Sequence, residues 1–347
     1  MKRSNLHQDI QNKVYKHLKN SGNSIFANKF MMAKSVFILM LVSIFYLSIL
    51  NCKTPLNLCL LWIGLGLACG LVGVNIGHDA LHGAFSKYSS VNKILGSVFT
   101  LLGISTYLWD IQHNKVHHTF TNINTLDRDL SPAGRLLRLS PHQKYFSFHS
   151  WQIFYLIPAY SLAIINWVFV KDFVLLFGPR IGAHIWKSRP SLEIAKVLLC
   201  KFIYLGLFLG IPLYMVDLPA LHVLAAWFVG TLVEGLFVAI LFMVAHATPK
   251  AHFYQAHEAK PSWFERQILT SSTFSPGNKI VNFICGGLNF QIEHHLFPGI
   301  CHVHYPQIAP IVKEEVLKAG LFYNEHSGFI SAFLSHFKFI HHLGKKP

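Results

Sequence analysis

Eight histidines are spaced in ways that suit metal binding. His78 and His82 stand four apart in "HDALH", and His113 and His117 repeat that interval in "HNKVHH", where His118 follows directly. His294 and His295 are adjacent in "NFQIEHHLFP", and His246 closes the apolar run "FMVAH". Residues four apart share one face of an α-helix, so each such pair can aim two imidazoles at one point. Adjacent residues diverge by about 100° on a helix, which lets one pair serve two ions. The pattern is that of a two-metal centre. Imidazole suits zinc, copper, iron and nickel, and spacing alone does not choose among them.

The chain holds 22 histidines, so number alone carries no argument. The pair His341-His342 has no histidine three or four residues before it and sits near a basic terminus. It reads as solvated or membrane-surface. The remaining histidines, His302, His304 and His336 among them, receive the same ordinary reading. Joint occurrence sets the eight apart: two four-residue spacings, two adjacent pairs, and positions that the membrane pattern puts on one side.

The elements that position them are apolar. The chain of 347 residues is 52% hydrophobic and only 13% charged, with mean hydropathy +0.39. Soluble domains carry about 25% charged residues, so this composition indicates a membrane protein. Spans of about 20 apolar residues are expected at Ser35–Cys52, Leu56–Ile76, Val197–Val216 and Leu218–Ala245. Ile94–Trp109 is too short to cross, and Trp151–Val170, with Pro158 near its middle, has basic flanks on the same side. Both are expected as re-entrant or interfacial elements. Lys201 is expected to snorkel to the interface. Basic residues between Lys2 and Lys29 put the N-terminus in the cytoplasm and, with it, all eight histidines at the cytoplasmic face. The expected fold is an all-α integral membrane protein with four transmembrane helices and a cytoplasmic helical cap. A cytoplasmic segment 1–33 precedes a membrane domain 34–315, and a cytoplasmic tail 316–347 follows. The net charge of +15 suggests contact with anionic lipid headgroups. The scattered basic residues and absent motifs argue against nucleic acid. Six cysteines without a C-x-x-C pair read as small buried hydrophobes.

"HDALH", "HNKVHH" and "QIEHH" together resemble the three histidine boxes of membrane fatty acid desaturases, in order and in relation to the crossings. "GGLNFQIEHHLFP" resembles the third box of the front-end acyl branch. The resemblance spans roughly residues 60–315. It implies a di-iron centre held by His78, His82, His113, His117, His118, His246, His294 and His295, with O2 as co-substrate. Gln291 stands where related acyl-CoA enzymes place a further histidine, and an amide oxygen there is a weaker ligand. Asp79, Asp127, Asp129 and Glu293 are candidates to hold imidazole N–H groups, and Asp79 and Glu293 are the favoured two. The H-P-G-G haem motif of fused cytochrome b5 domains does not occur. The resemblance therefore implies a separate electron donor such as cytochrome b5 or ferredoxin. The expected reaction puts a cis double bond into an acyl chain linked to CoA, a carrier or a lipid. A di-iron hydroxylase of lipids, sphingoid bases or hydrocarbons is the first alternative, and a histidine-rich metal transporter the second. Glu234, inside the last span, is too far along its helix from His246 to join the site, at ~18 Å for 12 residues.

Overall fold

The computed structural model describes residues 6–130 and 135–346. Its helices are α1 (Leu6–Asn20), α2 (Lys29–Leu50), α3 (Pro55–Leu81), α4 (Ser89–Leu101), α5 (Thr106–Phe120), α6 (Ser147–Ser161), α7 (Ala163–Phe177), α8 (Ser191–Met215) and α9 (Ala220–His246). Then follow α10 (Trp263–Thr270), α11 (Lys279–Cys285), α12 (Gln291–Leu296), α13 (Tyr305–Lys318) and α14 (Phe329–Leu343). Among the described residues, α2, α3, α8 and α9 are long and apolar enough to cross a membrane. These are the four expected spans. The two doubtful segments are bent pairs, α4–α5 by 108° and α6–α7 by 67°.

Helices α3 and α9 form the centre. A Cβ on Gly66 would lie 2.2 Å from the carbonyl oxygen of Gly230, and one on Gly230 would lie 2.4 Å from that of Trp62. Small residues allow this backbone approach, the usual device for packing helices in lipid. Asn51–Thr54 turns α2 into α3, with the Thr54 side chain accepting from the Asn57 N–H and Pro55 at the first helical position. His78 lies in the last turn of α3 and His246 ends α9, so their close packing brings the two histidine groups to the same end of the helix pair.

Lys201 corrects its expectation. It does not snorkel: it is buried, with Nζ 2.6 Å from Asp172 Oδ2 and 2.5 Å from Gly103 O. The bend between α6 and α7 is the reason, because it carries Asp172 to the same depth. The other lone pairs of Asp172 accept from the Ser105 N–H and Trp167 Nε1–H. This pairing fixes the start of α5.

The cap has its own apolar core. Leu6, Ile10, Val14 and Leu18 recur every four residues on one face of α1 and pack against Phe290, Ile292, Leu296 and Val312. Lys13 and Glu315 clip α1 to α13 at 2.5 Å. A two-residue parallel pairing of β3 (Thr273–Phe274) with β4 (Glu325–His326), after an antiparallel β1 (Arg180–Ile181) and β2 (His184–Ile185), ties the end of the cap to its middle. All six cysteines are free, and all but Cys59 are buried.

Candidate metal centre

Local helix geometry delivers the histidines. The segment Asp110–His117 within α5 is wound as a π-helix. Such a turn repeats at i→i+5 and often marks functional sites. His113 and His118 are five apart, and their Nε2 atoms meet at 3.3 Å. An ideal α-helix would separate them. A second π turn, Gly73–Gly77, precedes His78 in α3. The cap presses against it: Gly286 and Gly287 adopt φ of 57° and 84°. A Cβ on Gly286 would lie 2.3 Å from Val74 O. That reversal, available to glycine at little cost, aims α12 back at the ends of α3 and α9.

The eight histidines converge. One group comprises His78, His82, His113 and His294, and another His117, His246 and His295, each with nitrogens within 4.8 Å of one another. His118 stands between them, with Nε2 3.3 Å from His113 Nε2 and 3.1 Å from His294 Nε2, and its ring stacked on His295 at 4.4 Å. Adjacent residues do part company as their spacing suggests. His294 turns to the first group and His295 to the second.

Most of these rings are held by Nδ1. His113 Nδ1 lies 3.0 Å from Asp129 Oδ2, and His117 Nδ1 lies 3.1 Å from both Asp127 oxygens. His246 Nδ1–H donates to Thr270 O at 3.2 Å, and His295 Nδ1–H to Gln267 Oε1 at 2.7 Å. His294 Nδ1 is 3.3 Å from the Tyr305 hydroxyl. Each such bond sets the tautomer and turns Nε2 inward as a lone-pair donor. Burial pushes His82, His113, His118, His294 and His295 well below the usual imidazole range, so they are neutral, as ligation requires. Burial also opposes charge on His117, but the Asp127 carboxylate beside it prevails and raises it. Both Nε2 of His117 and Nε2 of His82 are buried without a hydrogen-bond partner. A cage of inward nitrogens, most of them on neutral rings and meeting only one another or Gln291, fits a pair of metal ions of the borderline kind that imidazole favours.

Gln291 lies against the second group. Its Nε2 is 2.8 Å from His246 Nε2 and 3.4 Å from His295 Nε2, while its Oε1 is buried without a partner. The two amide ends exchange by a half-turn, and that turn aims the oxygen at the same point as the imidazoles.

The carboxylates fall out differently from expectation. Glu293 accepts from the Tyr323 hydroxyl at 2.7 Å and the Thr273 hydroxyl at 3.1 Å, so it braces the cap. Asp79 faces away from the cluster, to His302 Nδ1 at 2.7 Å and Cys301 Sγ at 3.0 Å. The imidazoles are held instead by Asp127 and Asp129. Asp79 follows His78 directly on a helix, so its side chain must diverge from that ring. Thr270, Gln267 and Tyr305 carry no sequence signal, being brought in from α10 and α13 by tertiary packing. His302, His304, His149 and His336 are buried rather than solvated.

A cavity of ≈ 490 Å³ adjoins the first group, with His78, Trp109 and His113 in its wall. Its other walls are mainly apolar side chains of α3, α6, α7 and α9, and Glu234 lies among them.

Four apolar spans, a buried histidine cluster and an apolar cavity beside it define a membrane protein built to bring long apolar groups to a candidate metal centre. The family model for fatty acid desaturases matches residues 54–327, and the chain belongs to that family. It is 35% identical over 288 residues to the sn-1 linoleoyl-lipid 6-desaturase of Arthrospira platensis, covering 82% of this chain and 77% of that one. The Synechocystis enzyme of the same name is 32% identical over 286 residues, 81% of this chain and 79% of the relative. The acyl-lipid (8-3)-desaturase of Physcomitrium patens is 33% identical over 297 residues, covering 82% and 59%. The chain is therefore a fatty acyl desaturase, an oxidoreductase acting on fatty acyl chains.

Proposed function

We propose that the enzyme puts a cis double bond into a lipid-linked acyl chain toward its carboxyl end, using O2 and two iron ions. The ions would be held by His78, His82, His113, His117, His118, His246, His294 and His295, with Gln291 as a weak oxygen ligand. The observation that carries this reading is the inward, Nδ1-anchored imidazole cluster opening on an apolar cavity. The lipid linkage follows the names of the relatives, which act on acyl lipids.

When bound, the iron pair supplies an oxidant strong enough to take hydrogen from an unactivated methylene, which no side chain can do. Overall, two hydrogens leave the chain. With O2, two electrons and two protons, they end in two waters. The chain's own residues do the rest. The walls from α3 and α9 align the acyl segment beside His78 and His113 and exclude water. Asp127 and Asp129 hold the imidazole N–H groups of His117 and His113, keeping those rings oriented. Electrons come from a separate donor of the cytochrome b5 or ferredoxin kind. The site faces the cytoplasm, where the basic loops lie.

Expression in a host with simple fatty acids, followed by mass spectrometry of its lipids, tests the reading. A new double bond that disappears with His294→Ala is expected. An alcohol in its place would mean hydroxylation, and identical profiles for wild type and variant would end the catalytic reading.

A further inference from the structure

The cavity wall also carries charge. Arg128 and Lys171 line it together with Asp129, which holds His113. We propose that Arg128 and Lys171 form an anion site that holds the phosphodiester of a phosphoglycerolipid while its acyl chain lies in the cavity. This rests on the desaturase reading above and adds the headgroup to it.

Three observations carry the assignment. The nearby acids are already committed. Asp127 accepts from His117 and from the backbone N–H groups of Asn122 and Asp129. Asp129 serves His113 and Gln112, and its ion pair with Lys171 Nζ is long, at 3.7 Å. Arg128 has no hydrogen bond or ion pair among the described residues. A guanidinium beside an ammonium presents the fork and the point charge that recognise phosphate.

Lys171 is also held in place. Its Nζ lies 3.8 Å from the centre of the Trp167 ring, which fixes the ammonium by a cation–π contact.

The remaining rim is apolar and open. Leu162, Val170 and Val174 line the cavity yet are 40%, 50% and 48% exposed, and all lie on the bent α6–α7 pair. Exposed apolar residues on a membrane-embedded segment face hydrocarbon. An acyl chain can thus enter sideways from the bilayer with its headgroup left at the Arg128–Lys171 pair. A water-borne thioester such as acyl-CoA would leave that apolar rim uncovered.

The test uses the full-length, iron-loaded enzyme with a reducing donor in lipid nanodiscs. Phosphatidylglycerol, an uncharged galactolipid with the same acyl chains, and the matching acyl-CoA are supplied separately. Wild type is expected to favour phosphatidylglycerol. Arg128→Gln should lose roughly tenfold in kcat/KM on it, through KM, as expected for one charge-assisted phosphate contact. The galactolipid should lose at most about twofold, and Arg128→Lys should restore most of the preference. Equal losses on both lipids would assign Arg128 a merely structural role and overturn the proposal. So would a wild type that treats the two lipids alike. Preferred turnover of acyl-CoA, lost with Arg128→Gln, would overturn the lipid source and assign the phosphate to the thioester carrier. If no substrate gains a double bond, the desaturase reading itself falls, an outcome distinct from any change in headgroup preference.

Discussion

Two kinds of buried histidine occur in this molecule, and they differ in what meets Nε2. In the cluster of eight, Nδ1 is commonly anchored and Nε2 points at other imidazoles. At His302, Asp79 holds Nδ1 at 2.7 Å and the Lys34 ammonium stands 3.0 Å from Nε2. At His336, Nδ1–H donates to Ala247 O at 2.7 Å and Nε2 lies 2.9 Å from the Tyr160 hydroxyl. Asp79, Cys301 and His302 have the chemistry and the proximity of a metal site. Yet Lys34 takes the lone pair that an ion would need. Ligand-type residues in a group do not make a metal centre, whereas unspent lone pairs at one point do.

The sharpest way to break this contrast is to remove an open imidazole. His294→Ala should lower desaturation by more than ~100-fold, beyond the range of outer partners, and reduce bound iron, read by product analysis and metal content. Next is a partner that orients an open ring. Asp127→Asn should cost about 10- to 100-fold in activity or iron affinity, because the His117 tautomer is no longer fixed. The third acts on a closed ring. His302→Ala strands Lys34 and Asp79, both buried, and should cost about 3 kcal/mol of stability. Bound iron should be unchanged, so a lowered melting temperature with full metal content is the expected pair of readings. Loss of iron there would erase the distinction.

The smallest effect concerns pH. Burial holds His336 down to about 4, below its ordinary 6.5. The folded chain keeps it neutral while the unfolded chain gains a proton as pH falls through 6.5. Stability is therefore lost between about 6.5 and about 4, at up to ~1.4 kcal/mol per pH unit. His336→Gln should flatten the fall of the melting temperature in that window. An unchanged slope would show that other groups carry the acid response.

Much of the centre was legible beforehand. The four-residue spacings and adjacent pairs named eight residues, and the apolar runs named the spans that end beside them. The resemblance to desaturases supplied what spacing could not, the metal and the reaction class. The outer partners were legible only in part. Asp127 and Asp129 stand among the four candidate carboxylates, but the sequence favours Asp79 and Glu293, which adjoin histidines and which helix geometry turns away from those rings. Asp127 and Asp129 lie ten and sixteen residues from their imidazoles and reach them by a loop. Lys201 departs from expectation for a related reason, since a lysine near a helix end snorkels unless another segment brings it an acid, here Asp172.

Helix periodicity and hydrophobic run length are local properties, so the sequence by itself determined the spans, the bent apolar segments and the list of imidazoles. Which nitrogens stay unspent is set by contacts between distant segments. The π turn in α5, the glycine reversal before α12 and the packing of α3 on α9 decided that. Only the tertiary structure could separate His302, closed by Lys34, from His294, left open beside His78.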